Sequence, residues 1–484
     1  MTLRKEAFSA GRWTTASVLA RALTQVVQIM VLARILAPAD FGLMAIAGAA
    51  VAVAAMFSDF GLGSALMHFP RPGKRVLSTL YWLNIGLACA LAICFCFVSV
   101  LLAGIYRHAE LLPVLLLLAL NFPLNAFGSQ FRVLAEKEMR FRTLAKLEAA
   151  ATLAGFVVAV SLSWLDAGVY ALVGGSLAAN ATGTALSWTF LSTGARPTFQ
   201  ADVASAKPFL AFGLHRVGDD LWNTMRMQSD ILVASLFAPA STVAFYATPR
   251  DQCLRIANTV VNPVITRIGL PIMTRLQDDP ARLREIYRKT LNFTASLNFP
   301  AYALLALFPA DVVGLLLGAQ WHEASPFLRI FALWALVRST GNPSGILVYA
   351  VGMAKRAHAW NFLLFFITVP LFYVAASRSG LLGLAATMLL TQLVTFVFAW
   401  LYLIRPACGM GFREYCSPFL PPLIATLAAS GAAAGAALAV PGAWRLAVGV
   451  PVMAIVYLGF SHWVNRNWLL AMRQLLAPAI RVPG

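Results

Sequence analysis

Long apolar runs alternate with short polar segments along the whole chain, and fourteen such runs can be counted. Most reach about 20 residues, the length that an α-helix needs to cross the hydrocarbon core of a bilayer. The runs are continuously apolar and lack the period-two alternation of barrel strands, so they predict an all-α polytopic membrane protein. The predicted spans are 13–36, 41–66, 77–104, 112–134, 143–165, 168–192, 208–237, 242–271, 290–316, 324–352, 357–376, 381–404, 419–440 and 443–465.

Composition supports a membrane protein and sets aside nucleic-acid binding. The 484 residues are 60% hydrophobic and 12% charged, with a mean hydropathy of +0.76, whereas soluble proteins carry roughly 25% charged residues. The net charge is +18, but the basic residues lie mostly in short loops between apolar runs. That placement is typical of membrane topology, so no nucleic-acid partner is predicted.

The loop charges predict the orientation. With the N-terminus in the cytoplasm, the inside segments hold 23 lysines and arginines and the outside segments hold 4. The positive-inside rule therefore favours fourteen spans with both termini cytoplasmic. One cytoplasmic connection, LQDDPARLREIYRKT, offers Asp279 as a helix N-cap and Pro280 as the first helical residue, which predicts a short surface helix.

A short Pro-containing corner occurs twice. VLARILAPADFGLMAIA (31–47) aligns with LVASLFAPASTVAFYAT (232–248), and LLPVLLLLAL (111–120) aligns with ASPFLRIFAL (324–333). The repeat predicts lobes 1–194 and 195–404, each of six helices, with two extra helices and a tail in 405–484. Six helices separate the copies, so the lobes would be related by an axis along the membrane normal, as in alternating-access transporters.

Ionisable residues inside the predicted spans are the functional signal. A charge in hydrocarbon costs at least ~2.5 kcal/mol, so such residues usually face a partner or a wet cavity. In spans 1, 7 and 8 the polar residues recur at three- and four-residue steps, which places them on one helix face. The predicted cationic cavity consists of Arg21, Gln25, Arg216, Arg226, Arg250 and Arg255, and its predicted charge-balancing or coupling acids are Asp219, Asp220, Asp230 and Asp251.

Structural ion pairs are the alternative interpretation. Arg216 with Asp219 or Asp220, and Arg226 with Asp230, have suitable spacing for pairing along a helix. The alternative is weakest for Arg21, because its span contains no acid. The six cysteines form no CxxC motif and the six histidines are scattered, so no catalytic site, metal or cofactor is predicted.

Four segments resemble Wzx-type polysaccharide flippases of the multidrug/oligosaccharidyl-lipid/polysaccharide superfamily. They are ARILAPADFGLMAIAGAAVAVAAMFSDFGLGSALM, FGLHRVGDDLWNTMRMQSDILVASLFAPASTVAFYATPRD, LPIMTRLQDDPARLREIYRKTL and GAQWHEASPFLRIFAL. The resemblance implies two six-helix lobes and movement of an undecaprenyl-diphosphate-linked oligosaccharide to the periplasmic leaflet. Polysaccharide-assembly proteins such as a polymerase are the implied partners, beside membrane lipid.

The resemblance also assigns individual positions. Arg226 and Asp230 match a polar pair in the seventh helix of the family, and Arg250 matches a recurring arginine in the eighth. Asp219, Asp220, His215 and Arg216 depart from the family pattern, in which this segment is less charged. Two other functions stay open at this stage: a cation-coupled drug or metabolite antiporter of the same superfamily, and a non-transporting protein of envelope assembly.

Overall fold

The computed structural model of the chain describes residues 24–58, 61–69, 72–108, 110–193, 196–199, 202–257, 262–440, 442, 444–466, 468–470 and 472. Within these ranges, the side chains of residues 203, 205, 214–220, 263, 264, 267 and 268 are not described. Regular structure in the described part of the chain is helical throughout, without strands. This confirms the predicted all-α fold class.

Ten α-helices lie in the described residues between 24 and 256. Their order follows the predicted alternation of apolar runs and short connections. They are α1 (Thr24–Ile35), α2 (Pro38–Ala55), α3 (Leu62–His68), α4 (Lys74–Tyr106), α5 (Leu111–Ala119), α6 (Asn121–Lys137), α7 (Phe141–Trp164), α8 (Val169–Leu191), α9 (Val203–Phe237) and α10 (Ala240–Ile256).

The first Pro-containing corner connects α1 to α2. Pro38 is the first residue of α2, where its missing N–H costs no hydrogen bond. The carboxylate of Asp40 accepts a hydrogen bond from the N–H of Ala37 at 3.1 Å, so it satisfies a donor that the helix leaves open. Gly42 then lies directly against the backbone of Ala240, the first residue of α10 after the second corner. The two repeated corners therefore meet at a glycine.

Ten further α-helices lie in the described residues between 262 and 464. They are α11 (Asn262–Arg275), α12 (Pro280–Leu307), α13 (Pro309–Leu316), α14 (Ser325–Arg338), α15 (Gly341–Ala350), α16 (Ala354–Ala399), α17 (Arg405–Cys408), α18 (Phe412–Cys416), α19 (Leu420–Leu438) and α20 (Trp444–Val464).

The predicted start of a helix after 276–279 is confirmed, but its extent is wrong. The Asp279 side chain accepts a hydrogen bond from the Arg282 N–H at 3.1 Å, and Pro280 is the first helical residue. No separate surface helix forms, because α12 continues without a break from Pro280 to Leu307. Its first turns pack Leu283 and Tyr287 into a buried apolar cluster with Tyr415, which ties the helix start to the α17–α18 segment.

The predicted break between spans 357–376 and 381–404 is confirmed, because α16 consists of two helices joined at a kink, where Gly380 has a non-helical φ of 64°. Two other predicted spans differ from the structure. Predicted span 324–352 divides into α14 and α15, and predicted span 290–316 bends by 89° between α12 and α13. Pro309 begins α13, so the bend falls where a proline can start a helix but cannot continue one.

Seven helices or helix pairs among the described residues are long and apolar enough to cross a membrane, or eight if α12 and α13 count as one broken span. Their outer faces expose large apolar side chains, such as Phe97 (72% exposed) and Leu101 (67%) on α4. Apolar faces exposed to water on many helices are unfavourable, whereas the same faces are favourable in contact with lipid. The chain is thus a multi-pass membrane protein, and the count of fourteen spans stays a prediction.

The chain divides into two compact units. Residues 1–247 and 361–381 form the first, and residues 248–360 and 382–484 form the second, so one boundary falls inside α10 and two fall inside α16. In the first unit, Leu32 of α1 and Leu36, the residue after this helix, pack on Ala159 and Ala171. In the second, α19 buries an alanine at every fourth position, from Ala425 to Ala437. The predicted lobe boundaries at 194 and 404 stay a prediction.

Candidate functional site

Helix α9 carries five of the ten predicted site residues. Its 35 residues extend about 52 Å at 1.5 Å per residue, more than a bilayer core requires. Arg216, Asp219 and Asp220 belong to this helix, but their side chains are outside the described part of the structure. Arg21 also lies outside the described residues, and Gln25 is half-buried in α1.

Of the two predicted acids whose side chains are described, Asp230 and Asp251, Asp230 is the more deeply buried. It is 1% exposed, and its carboxylate accepts a hydrogen bond from the Tyr246 hydroxyl at 3.1 Å. Tyr246 is itself fully buried in α10. Removing a carboxylate from water is costly unless donors satisfy it, so this bond both stabilises Asp230 and joins α10 to α9.

Arg226 lies one helical turn before Asp230. Residues four apart share a helix face, so the guanidinium and the carboxylate lie along the same side of α9. The Arg226 Nη2 donates to Asn223 Oδ1 at 3.5 Å, and the side chain is half-buried. The nearby Thr224 hydroxyl contacts the sulfur of Met56, the residue after α2, at 3.1 Å. Within the first unit, Asn223, Arg226 and Asp230 therefore lie along one side of α9.

Aromatic side chains hold this part of α9 in place. The Trp222 ring packs against Phe362, Phe365 and Phe366 of α16, with ring centroids 4.9, 5.4 and 5.6 Å apart. Each aromatic pair contributes about 0.5–1.5 kcal/mol beyond the burial of its area. The polar face of α9 is thus carried by a helix whose position is fixed by large rings.

The second unit holds the remaining described site residues. Arg250 is 3% exposed, and its Nη1 forms an ion pair with Asp251 Oδ1 at 2.8 Å. The Asp251 side chain is 44% exposed, so the pair joins a buried cation to a more open acid. Arg255, five residues farther along α10, is exposed. Two residues before Arg255, the carbonyl of Cys253 accepts a hydrogen bond from the Tyr302 hydroxyl at 2.8 Å, which joins α10 to α12.

The sequence pattern missed a second set of polar residues in the first unit. Asn121 and Asn180 lie near the middle of long apolar segments, and the Asn180 amide donates to Asn121 Oδ1 at 2.6 Å. Their signal in the sequence is the four-residue spacing of Asn121 with Asn125 and of Ser176 with Asn180. Among the described residues, no group of three His, Cys, Asp or Glu side chains is placed to hold a metal ion.

The sequence of residues 31–326 matches the family described as polysaccharide biosynthesis protein. The chain belongs to this family. It is 29% identical over 416 residues to the lipopolysaccharide biosynthesis protein WzxC of Escherichia coli K12, covering 86% of this chain and 84% of WzxC. It is 26% identical over 423 residues to the teichuronic acid biosynthesis protein TuaB of Bacillus subtilis 168, covering 87% of each.

The fold is shared with a solved flippase structure. The lipid II flippase MurJ, in its inward closed conformation, superposes with a TM-score of 0.72 and covers 94% of this chain and 99% of MurJ, at 12% identity. At that identity the likeness shows the fold alone. The resemblance to polysaccharide flippases noted from the motifs is confirmed, and the helical membrane fold expected from it is confirmed as well.

Proposed function

We propose that this member of the polysaccharide biosynthesis family moves an undecaprenyl-diphosphate-linked oligosaccharide from the cytoplasmic to the periplasmic leaflet of the bacterial inner membrane. The movement would proceed by alternating access and would supply the assembly of exopolysaccharide, O-antigen or capsule. The observation that carries the proposal is the placement of Arg226 and Asp230 on one face of a membrane-length helix in a chain of this family.

Charge explains why arginines are needed there. A diphosphate carries about two negative charges, and guanidinium groups bind phosphate oxygens through paired donors. A buried arginine costs at least ~2.5 kcal/mol in hydrocarbon, so it is retained where an anion or a wet cavity compensates it. Arg226 and Arg250 are such residues, and Arg21, Gln25, Arg216 and Arg255 are their proposed companions. Asp219, Asp220, Asp230 and Asp251 would balance the charge or couple transport to an ion.

The proposal carries a topology and a set of partners. Both termini would lie in the cytoplasm, and a polymerase or other polysaccharide-assembly proteins would receive the translocated substrate. The chain would act as a transporter without a cofactor and not as an enzyme. Its relatives WzxC and TuaB are named for lipopolysaccharide and teichuronic acid biosynthesis, which supports a role in polysaccharide assembly.

Export of polymer in the native host tests the proposal. Deletion of the gene should abolish surface polymer, and Arg226→Gln should fail to restore it at equal membrane abundance. Arg282→Gln is the matched control, because the Arg282 side chain is 75% exposed and pairs only loosely with Asp279 at 3.8 Å. Full export with Arg226→Gln would contradict the assignment of Arg226, and full export in the deletion strain would contradict the proposed function.

A further inference from the structure

Helices α6 and α8 carry a row of polar side chains where an apolar surface is expected. Residues 111–137 form a candidate span of 27 residues with a hydropathy of 1.8, and Asn121 and Asn125 lie close to its middle. Asn180 lies at the middle of α8. A polar group at mid-membrane must find a hydrogen-bonding partner or face water, since lipid tails offer neither donors nor acceptors. The row therefore needs a physical reason.

The buried half of the row joins the two helices. The Asn180 amide donates to Asn121 Oδ1 at 2.6 Å, and the Thr184 hydroxyl donates to the carbonyl of Leu124 at 2.6 Å. The Asn121 amide also reaches Ser176 Oγ at 3.4 Å. Hydrogen bonds of this kind hold membrane helices together. Packing is thus a sufficient explanation for Asn121 and Thr184, which are both buried.

The more exposed polar residues of the row, Asn125 and Arg132, are not explained by packing between the helices. Asn125 is exposed and Arg132 is half-buried, and the Arg132 Nη2 donates to the carbonyl of Asn125 at 3.3 Å and to its Oδ1. Gly128 lies beside this guanidinium. A Cβ atom at that position would lie 2.8 Å from Arg132 Nη1 and 3.0 Å from Thr184 Oγ1. The guanidinium therefore occupies space that the absence of a side chain at Gly128 leaves between α6 and α8.

Glu148 of α7, an exposed acid, interacts electrostatically with Arg132 and offsets part of its charge. A diphosphate carries about two negative charges, more than this one guanidinium can match. Asn125 and Arg132 instead offer amide and guanidinium donors beside an amide oxygen, a mixture that matches hydroxyl groups, which both donate and accept. That chemistry favours a neutral carbohydrate over a phosphate.

We propose that Asn125 and Arg132 form a sugar-binding subsite in the first unit, separate from the arginines assigned to the diphosphate. This inference rests on the proposed function, because it takes the oligosaccharide as the substrate. The subsite would contact sugars beyond the one attached to the lipid and would orient the headgroup through hydrogen bonds to hydroxyl groups. Asn121 and Thr184 would be positioning residues that hold the α6 surface in place.

Two lipid substrates test the subsite on the full chain in proteoliposomes. One is a fluorescent undecaprenyl-diphosphate carrying the complete oligosaccharide of the host, and the other carries only the first sugar. Asn125→Ala and Arg132→Gln should each slow translocation of the complete oligosaccharide about tenfold, which corresponds to about 1.4 kcal/mol. The single-sugar lipid should move at the wild-type rate. Thr189→Ala, an exposed α8 residue bonded to its own helix, is the control and should change neither rate.

The possible results distinguish failure of the sugar-binding subsite from failure of the proposed flippase function. Equal slowing of both lipids by Asn125→Ala and Arg132→Gln, or no effect on either, would overturn the subsite and leave the proposed function standing. Failure of the wild-type chain to move either lipid would overturn the proposed function itself. Asn121→Ala checks for a merely structural role, since loss of the α6–α8 bond should lower the melting temperature and slow both lipids equally. A variant at Asn125 that behaves like Asn121→Ala would count against the subsite.

Discussion

Gly42→Ala is the substitution that tests the meeting of the two corners most sharply. A Cβ atom on Gly42 would lie 1.7 Å from the carbonyl oxygen of Ala240 and 2.4 Å from its carbonyl carbon. Real Cβ contacts do not fall below 3.0 Å, so the two backbones must separate by at least 1.3 Å (3.0 − 1.7). Both contact atoms belong to backbone and cannot rotate away as a flexible side chain would.

Overpacking of a well-packed contact costs about 1–3 kcal/mol. Gly48 provides a matched control on the same helix, because no atom lies within 4 Å of the Cβ that would be added there. Gly48→Ala should be neutral or should stabilise α2 by up to about 1 kcal/mol through helix propensity. The two variants therefore make the same chemical change, with opposite signs expected.

Melting temperatures in detergent, followed by fluorescence-detected size-exclusion chromatography, provide the assay. Gly42→Ala should melt below the wild type, and Gly48→Ala should melt at or above it. If Gly42→Ala melts at the same temperature as Gly48→Ala or higher, the two corners do not meet through this glycine and the description of the corner is refuted.

Three further substitutions test separate contacts. Tyr246→Phe should destabilise the chain by about 1–3 kcal/mol, because it removes the hydroxyl that donates to buried Asp230. Tyr170→Phe, at an exposed position, should not change the melting temperature. Equal melting temperatures for the two variants would contradict the hydrogen bond between Tyr246 and Asp230. Asn298→Leu should raise the melting temperature, because both amide atoms of Asn298 are buried without a hydrogen-bond partner among the described residues; a lower value would show that the amide is needed. Asp279→Ala should cost about 1 kcal/mol by removing the cap of α12, while its neighbour Asp278→Ala should not, and equal losses would exclude a capping role.

Local sequence rules predicted the features that depend on neighbouring residues. Asp279 and Pro280 marked the start of α12 because capping needs only a side chain and an N–H three residues away. The four-residue spacing of Arg226 and Asp230 placed them on one face because helix geometry is fixed. The end of α12 was predicted less well, since a basic first turn and an apolar continuation belong to one uninterrupted helix.

Contacts between distant residues could not be predicted from the sequence. The DFG glycine, Gly42, was visible in the first corner, but only the fold shows that Ala240 of the second corner is what it contacts. Tyr246 carried no signal of its own, because a tyrosine in an apolar helix is usually core. The α6–α8 row was visible as four-residue spacing, yet asparagines in Ala- and Leu-rich segments attract less attention than arginines. Tertiary packing decides which of them is buried and which is exposed.

Translocation of one lipid-linked oligosaccharide is the most direct test of whether this chain is a flippase that depends on Arg226. Purified wild-type chain, Arg226→Gln and Arg282→Gln would be reconstituted into proteoliposomes with fluorescent undecaprenyl-diphosphate carrying the host oligosaccharide, and inner-to-outer movement would be followed by quenching of the exposed label. We expect rapid movement with the wild-type chain and Arg282→Gln, and slow movement with Arg226→Gln. If the wild-type chain moves the lipid no faster than protein-free liposomes do, the proposed flippase function is contradicted. Equal rates for all three chains would contradict the role of Arg226.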